Sequence, residues 1–181
     1  MKCAVLTMSL FPAVLAAQAT QIVTPHNHGS GQLDFVLSET GFSLTLKVPS
    51  MDIVGFEAPA ASDDERTQVA IAISELSKPL NLFVVPSEAM CFTTSANVIL
   101  THEITDQGTA GDASKGVSDE SHAEFQADYV IQCQDLSAVN SLDLAYFERF
   151  SGTEKLTVRI ASNGTTQFHE TTRATPRLSL P

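Results

Sequence analysis

The chain has 181 residues, of which 43% are hydrophobic, and its 21 acidic side chains outnumber its 10 basic ones. This length and apolar content are sufficient for one sizeable hydrophobic core, so we expect a single domain. The formal net charge of -11 at pH 7 would repel phosphate backbones, which argues against nucleic acid as a partner.

The beginning of the chain has the pattern of an export signal. Lys2 supplies a positive charge, an apolar run extends from Ala4 to Ala16, and Ala17-Gln18-Ala19 is a small-x-small cleavage pattern. We expect residues 1–19 to be a signal peptide cleaved near Ala19, and the mature chain to be periplasmic. No later stretch approaches the roughly 20 apolar residues that a membrane helix needs, so the mature chain is not expected to be embedded in a membrane.

The first predicted elements form a β-hairpin. Apolar and polar residues alternate from Leu33 to Leu37 and again from Phe42 to Val48, with a turn at Glu39-Thr40-Gly41 between them. An apolar connector, Met51–Glu57, follows the second strand.

A helix and two strands are predicted next. Ser62 and Glu65 have the spacing of a capping box, which predicts a helix from about Asp63 to Ser77 that packs on the sheet. The apolar segment Leu80–Val85 is typical of a short strand, and Met90–Thr105 of a longer one.

A further strand follows the acidic, glycine-containing segment Asp106–Ser121, which is expected to be a loop. Every second position of this strand is apolar, at Phe125, Ala127, Tyr129, Ile131 and Cys133. The opposite face carries His122, Glu124, Gln126 and Asp128. That polar face could hold a ligand or could simply be solvated.

The last third is expected to contain a short helical stretch from about Leu136 to Phe150 and then a hairpin. The hairpin has an Asn163-Gly164 turn signal between alternating segments at 156–160 and 165–170. The predicted fold class is therefore α+β, a mainly antiparallel sheet with one or two helices packed on it in a single domain.

Two cysteines, Cys91 and Cys133, remain once the predicted signal is removed. An even number in a compartment that permits disulfides predicts that they pair. Closing a loop of 133 − 91 = 42 residues would stabilise the fold by about 4 kcal/mol. The alternative is a pair of zinc-binding thiolates, which is typical of a reducing cytosol or of a Cys-x-x-Cys spacing.

Two histidines, His26 and His28, stand just before the first predicted strand. In an extended segment, side chains at i and i+2 project from the same face, so two neutral imidazoles could bind one zinc ion. The alternative is two solvated histidines in a terminal segment.

Several motifs follow one another in a recognisable order. A His-x-His-Gly opening is followed by Val-Gly-Phe-Glu at 54–57, by Cys91 entering a strand, by His-x-x-Phe-x-Ala-x-Tyr-x-x-x-Cys at 122–133, and by an aromatic segment at 147–150. Together these motifs resemble the ZrgA family of zinc-regulated periplasmic zinc-binding proteins. The resemblance covers nearly the whole mature chain and implies one ZrgA-like domain over residues 20–181.

The resemblance implies a protein that binds zinc and assists zinc acquisition, beside an uptake transporter or its binding protein. Carried onto this chain, it implies three zinc ligands, which are His26, His28 and His122. Glu57 could be an oxygen ligand, could orient an imidazole from outside the coordination sphere, or could be a buried acid that anchors the connector. Asp128 is the other candidate for a residue that orients a ligand from outside the coordination sphere. His102 and His169 are weaker ligand candidates.

Two differences from the family leave an alternative function open. The family has a histidine after Gly-Phe-Glu, where this chain has Ala58, and it has a histidine-rich loop where this chain has an acidic one. The alternative is a non-catalytic periplasmic adaptor that has lost most of its metal-binding capacity. An enzyme is not expected, because the chain has neither a His-Glu-x-x-His nor a Gly-x-Ser-x-Gly motif.

Overall fold

The computed structural model describes residues 27–103 and 122–181. The strands of this part of the chain are β1 Ser30–Leu37, β2 Gly41–Pro49, β3 Cys91–Glu103, β4 His122–Cys133, β5 Ser141–Asp143, β6 Lys155–Ser162, β7 Thr165–Thr172 and β8 Arg177–Ser179. Its α-helices are α1 Ser50–Val54, α2 Asp63–Leu76, α3 Pro79–Leu82 and α4 Tyr146–Arg149, and single 3₁₀ turns lie at Ser87–Ala89 and Leu136–Ala138. The predicted signal peptide, His26 and the predicted loop at 106–121 lie outside the described residues.

Six of these strands form one sheet in the order β3-β4-β2-β1-β6-β7, and β5 pairs with β8 in a small second sheet. Neighbouring strands of the large sheet are antiparallel, except that β1 and β6 are parallel, with Leu33 opposite Val158. The predicted fold class, an α+β domain with a mainly antiparallel sheet, is confirmed. None of the helices in the described ranges has the length and apolar content needed to cross a bilayer.

The alternating strands bury one face of the large sheet, as the pattern predicts. Leu33 and Phe35 of β1, and Phe125 and Tyr129 of β4, are at most 1% exposed. Helix α2 packs over this face, and the Tyr129 hydroxyl donates a 2.8 Å hydrogen bond to the carbonyl of Leu76. The buried aromatic ring and the hydrogen bond from its hydroxyl together hold the helix against the sheet.

The local signals at both hairpins and at α2 are confirmed. The side chain of Ser62 accepts a hydrogen bond from the backbone N–H of Glu65, and the Glu65 carboxylate accepts one from the backbone N–H of Ser62. Asn163 and Gly164 both have positive φ, at 49° and 77°, as a two-residue turn between antiparallel strands requires.

The predicted disulfide is also confirmed. Cys91 and Cys133 lie directly opposite one another on β3 and β4 and are covalently linked. The bond therefore joins the two strands that flank residues 104–121.

Two segments differ from their predictions. Leu80–Val85 is not a strand: α3 occupies Pro79–Leu82, because proline fits the first turn of a helix, and only Val84 forms a bridge, with Asp143. The predicted helical stretch 136–150 is a 3₁₀ turn, β5 and α4 in succession. The connector 51–57, for which no secondary structure was predicted, overlaps with α1.

Candidate metal site

Three of the predicted site residues meet at one end of the sheet. His28 comes from the turn before β1, Glu57 from the segment after α1, and His122 from the first position of β4. Nε2 of His28 lies 3.0 Å from Oε1 of Glu57, and Nδ1 of His122 lies 3.6 Å from Oε2 of the same carboxylate. Glu57 therefore lies between two imidazoles that are far apart in sequence.

The short helix α1 places Glu57 in this position. It begins immediately after β2 and ends at Gly55, whose φ of +85° is a left-handed conformation that favours glycine. The Gly55 N–H donates a 3.0 Å hydrogen bond to the carbonyl of Met51. The Ser50 hydroxyl donates a 2.5 Å hydrogen bond to the carbonyl of Phe56, so the chain is held in the reversal that leads into Glu57.

His28 lies in a tight turn rather than in the extended segment that was predicted. The Ser30 N–H donates a 3.1 Å hydrogen bond to the carbonyl of Asn27, and Gly29 has a φ of +77°. The expectation that side chains two residues apart project from the same face holds for an extended segment, so it does not apply at His28. His26 precedes the described residues.

Hydrogen bonds hold this turn from two sides. The N–H of Gly29 donates a 2.8 Å bond to Oδ1 of Asp52 in α1. The carbonyl of Gly29 accepts bonds of 2.8 Å and 3.0 Å from the N–H groups of Glu154 and Lys155, at the start of β6. The position of His28 is consequently determined by α1 and by β6.

The three side chains differ in their access to solvent. The Glu57 side chain is 13% exposed, His122 is 28% exposed and His28 is 53% exposed. The carboxylate is thus mostly withdrawn from water, whereas one imidazole on its outer side is open to it. An ion that bound here would reach the carboxylate from the side of His28.

Asp52 is an acid beside this cluster that the sequence reasoning missed. It is 5% exposed, and its Oδ2 atom has no hydrogen-bond partner within the described residues. Burial raises the pKa of the Asp52 carboxyl, and the hydrogen bond from Gly29 and the proximity of His28 oppose that effect. The signal in the sequence is a single acid inside an otherwise apolar stretch, Met51-Asp52-Ile53-Val54.

The other predicted residues lie elsewhere. Asp128 is six residues beyond His122 along β4, a distance of about 20 Å in a strand, and accepts hydrogen bonds from Thr45 and Gln126. His102 is exposed on β3. His169 is on the edge strand β7, with its Nε2 3.4 Å from Oε1 of Gln167.

The donor atoms at the cluster fit a borderline-soft cation. Imidazole nitrogens and carboxylate oxygens are common zinc ligands. Across residues 27–103 and 122–181, however, no group of three or more His, Cys, Asp or Glu side chains is placed so that it could hold a metal ion. In the described residues, the cluster therefore supplies suitable donors without a finished coordination sphere.

No curated protein matches the chain. Residues 25–180 match the family described as ZrgA family zinc uptake protein. This match includes β1 to β8 and all three residues of the cluster, and it agrees with the resemblance carried by the sequence motifs. The chain belongs to the ZrgA family of zinc uptake proteins.

Proposed function

We propose that this protein binds zinc in the periplasm and assists its uptake, without catalysing a reaction, and that His28, Glu57 and His122 hold the ion. The observation that carries the proposal is the bridging position of Glu57, with one carboxylate oxygen near each imidazole. Family membership supports the role in zinc uptake.

The spacing of the donor atoms is compatible with zinc. Ligand bonds of about 2.0 to 2.1 Å in a tetrahedral site imply that neighbouring ligand atoms are roughly 3.3 Å apart. The distances from Glu57 to His28 and His122, 3.0 Å and 3.6 Å, lie on either side of this value. Side-chain movement, for which the exposed His28 ring has room, is needed for an ion to replace its hydrogen bond with Glu57.

We include His26 as a further ligand, because the resemblance to the family implies it and only Asn27 separates it from His28 in the sequence. With His28, Glu57 and His122 it would make a four-ligand set, and a water molecule could take its place in an open site. The exposure of His28 suits an ion that is carried and released rather than one that is locked into the fold. The expected recipient is a zinc-uptake transporter or its binding protein.

Calorimetry on the oxidised, metal-stripped mature protein tests the site. We expect about one zinc ion per chain, with binding weakened at least about tenfold by His28→Ala and by His122→Ala, since each removes a ligand. The matched control is His169→Ala, which removes an imidazole on the edge strand β7, outside the cluster, and should leave zinc binding unchanged.

Two results would contradict the proposal. If His28→Ala and His122→Ala bind zinc as the wild-type protein does, the ion lies elsewhere. If the wild-type protein shows no binding tighter than about 0.1 mM, the zinc role fails and the adaptor alternative becomes the better explanation. Pull-down of a transporter component in the absence of zinc would then support that alternative.

A further inference from the structure

Asp52 is a buried acid to which the proposed function gives no role. Only one of its carboxylate oxygens is hydrogen-bonded within the described residues, and that bond comes from Gly29, the residue after His28. The side chain lies on α1, the helix that also leads into Glu57. Asp52 is therefore linked to His28 through the hydrogen bond from Gly29, and to Glu57 through the backbone that follows α1.

The charges around Asp52 are unbalanced in the metal-free protein. Burial, Glu57 and Glu154 all disfavour the ionised form of Asp52, whereas the hydrogen bond from Gly29 and the proximity of His28 favour it. Burial of a carboxylate without a compensating charge costs free energy. A divalent cation bound between His28 and Glu57 would supply the missing positive charge.

We propose that Asp52 is a positioning residue of the zinc site, which fixes the His28 turn through Gly29 and contributes a buried negative charge that zinc compensates. This inference rests on the proposed function. Asp52 and Glu57 together carry two negative charges, equal in size to the charge of the ion. The residue therefore destabilises the metal-free protein and strengthens binding of the cation.

The substitution Asp52→Asn separates these two effects. The amide oxygen of asparagine can still accept the Gly29 hydrogen bond, and the side chain keeps nearly the same volume, but the charge is lost. We expect the zinc affinity to fall about tenfold or more. We expect the metal-free protein, melted at a pH near 7.5, to unfold at the same temperature as the wild type or higher.

The matched control is Glu154→Gln. Glu154 is exposed and also acts on Asp52, so this variant removes a nearby charge that is screened by water. We expect its zinc affinity to change less than about threefold. Loss of affinity in Asp52→Asn without loss of metal-free stability would distinguish a charge effect from structural damage.

Three outcomes would overturn the inference while leaving the proposed function in place. These are wild-type zinc affinity in Asp52→Asn, an equal loss of affinity in Glu154→Gln, or a lower metal-free unfolding temperature in Asp52→Asn. If the wild-type protein binds no zinc, the proposed function and this inference fail together.

Discussion

Glu57→Gln removes the carboxylate charge between His28 and His122 and preserves the length of the side chain. In the metal-free protein we expect the free energy of unfolding to change by less than about 1 kcal/mol. The reason is that His28 is 53% exposed, and ion pairs with an exposed partner contribute little. Without zinc, the variant should therefore unfold almost like the wild type.

In the presence of zinc, the Glu57→Gln variant and the wild-type protein should differ in stability. At a free zinc concentration about 100 times the wild-type Kd, binding stabilises the native state by about 2.7 kcal/mol. If the variant binds about 100-fold more weakly, the same zinc concentration stabilises it by only about 0.4 kcal/mol. In a domain of this size, each kcal/mol of stabilisation raises the unfolding temperature by about 2 to 4 °C. The zinc-induced shift therefore falls from roughly 5–11 °C in the wild type to about 1–2 °C in the variant.

Thermal unfolding followed by circular dichroism, with and without zinc, measures both quantities. Glu39→Gln is the control, because Glu39 is an exposed acid in the turn between β1 and β2. A zinc-induced shift in Glu57→Gln equal to that of the wild type would refute the assignment of Glu57. A loss above about 2 kcal/mol without zinc would instead indicate a structural role for the carboxylate.

Three further predictions concern the scaffold. Replacing Cys91 and Cys133 with serine opens a loop of 42 residues and should lower the free energy of unfolding by about 4 kcal/mol, measured by denaturant titration. Tyr129→Phe removes the buried hydroxyl that bonds to α2 and should cost about 1 to 2 kcal/mol in the same assay, whereas no loss would mean that the bond contributes nothing. Gly152→Ala would place a Cβ atom 2.4 Å from the carbonyl oxygen of Asp52, so we expect a loss of about 1 to 3 kcal/mol and weaker zinc binding.

The elements that the sequence predicted correctly are those with a local signal. The alternation in β4, the capping box of α2 and the Asn163-Gly164 turn each involve residues within a few positions of one another. The failures come from segments where local patterns are ambiguous. Leu80–Val85 has the composition of a strand, but Pro79 starts a helical turn, and a short, mostly apolar segment alone does not distinguish the two.

The assembly of the candidate site required the tertiary structure. His28, Glu57 and His122 could be nominated from motifs, but no pattern states that Glu57 lies between the two histidines, since this depends on α1 and on strand pairing across the sheet. Asp52 was overlooked because an acid in an apolar connector is usually turned towards water. The parallel pairing of β1 with β6 joins segments more than 100 residues apart in the sequence, and hydrophobic periodicity carries no information about partners at that separation.

The hydrogen bonds from Glu154 and Lys155 to Gly29 have a consequence for the order in which the protein becomes functional. Translation delivers His28 early, yet the backbone groups that hold its turn belong to Glu154 and Lys155, late in the chain. In a partly synthesised polypeptide, the His28 turn would lack these hydrogen bonds. The proposed zinc site can therefore form only when nearly all of the chain has been synthesised and has folded.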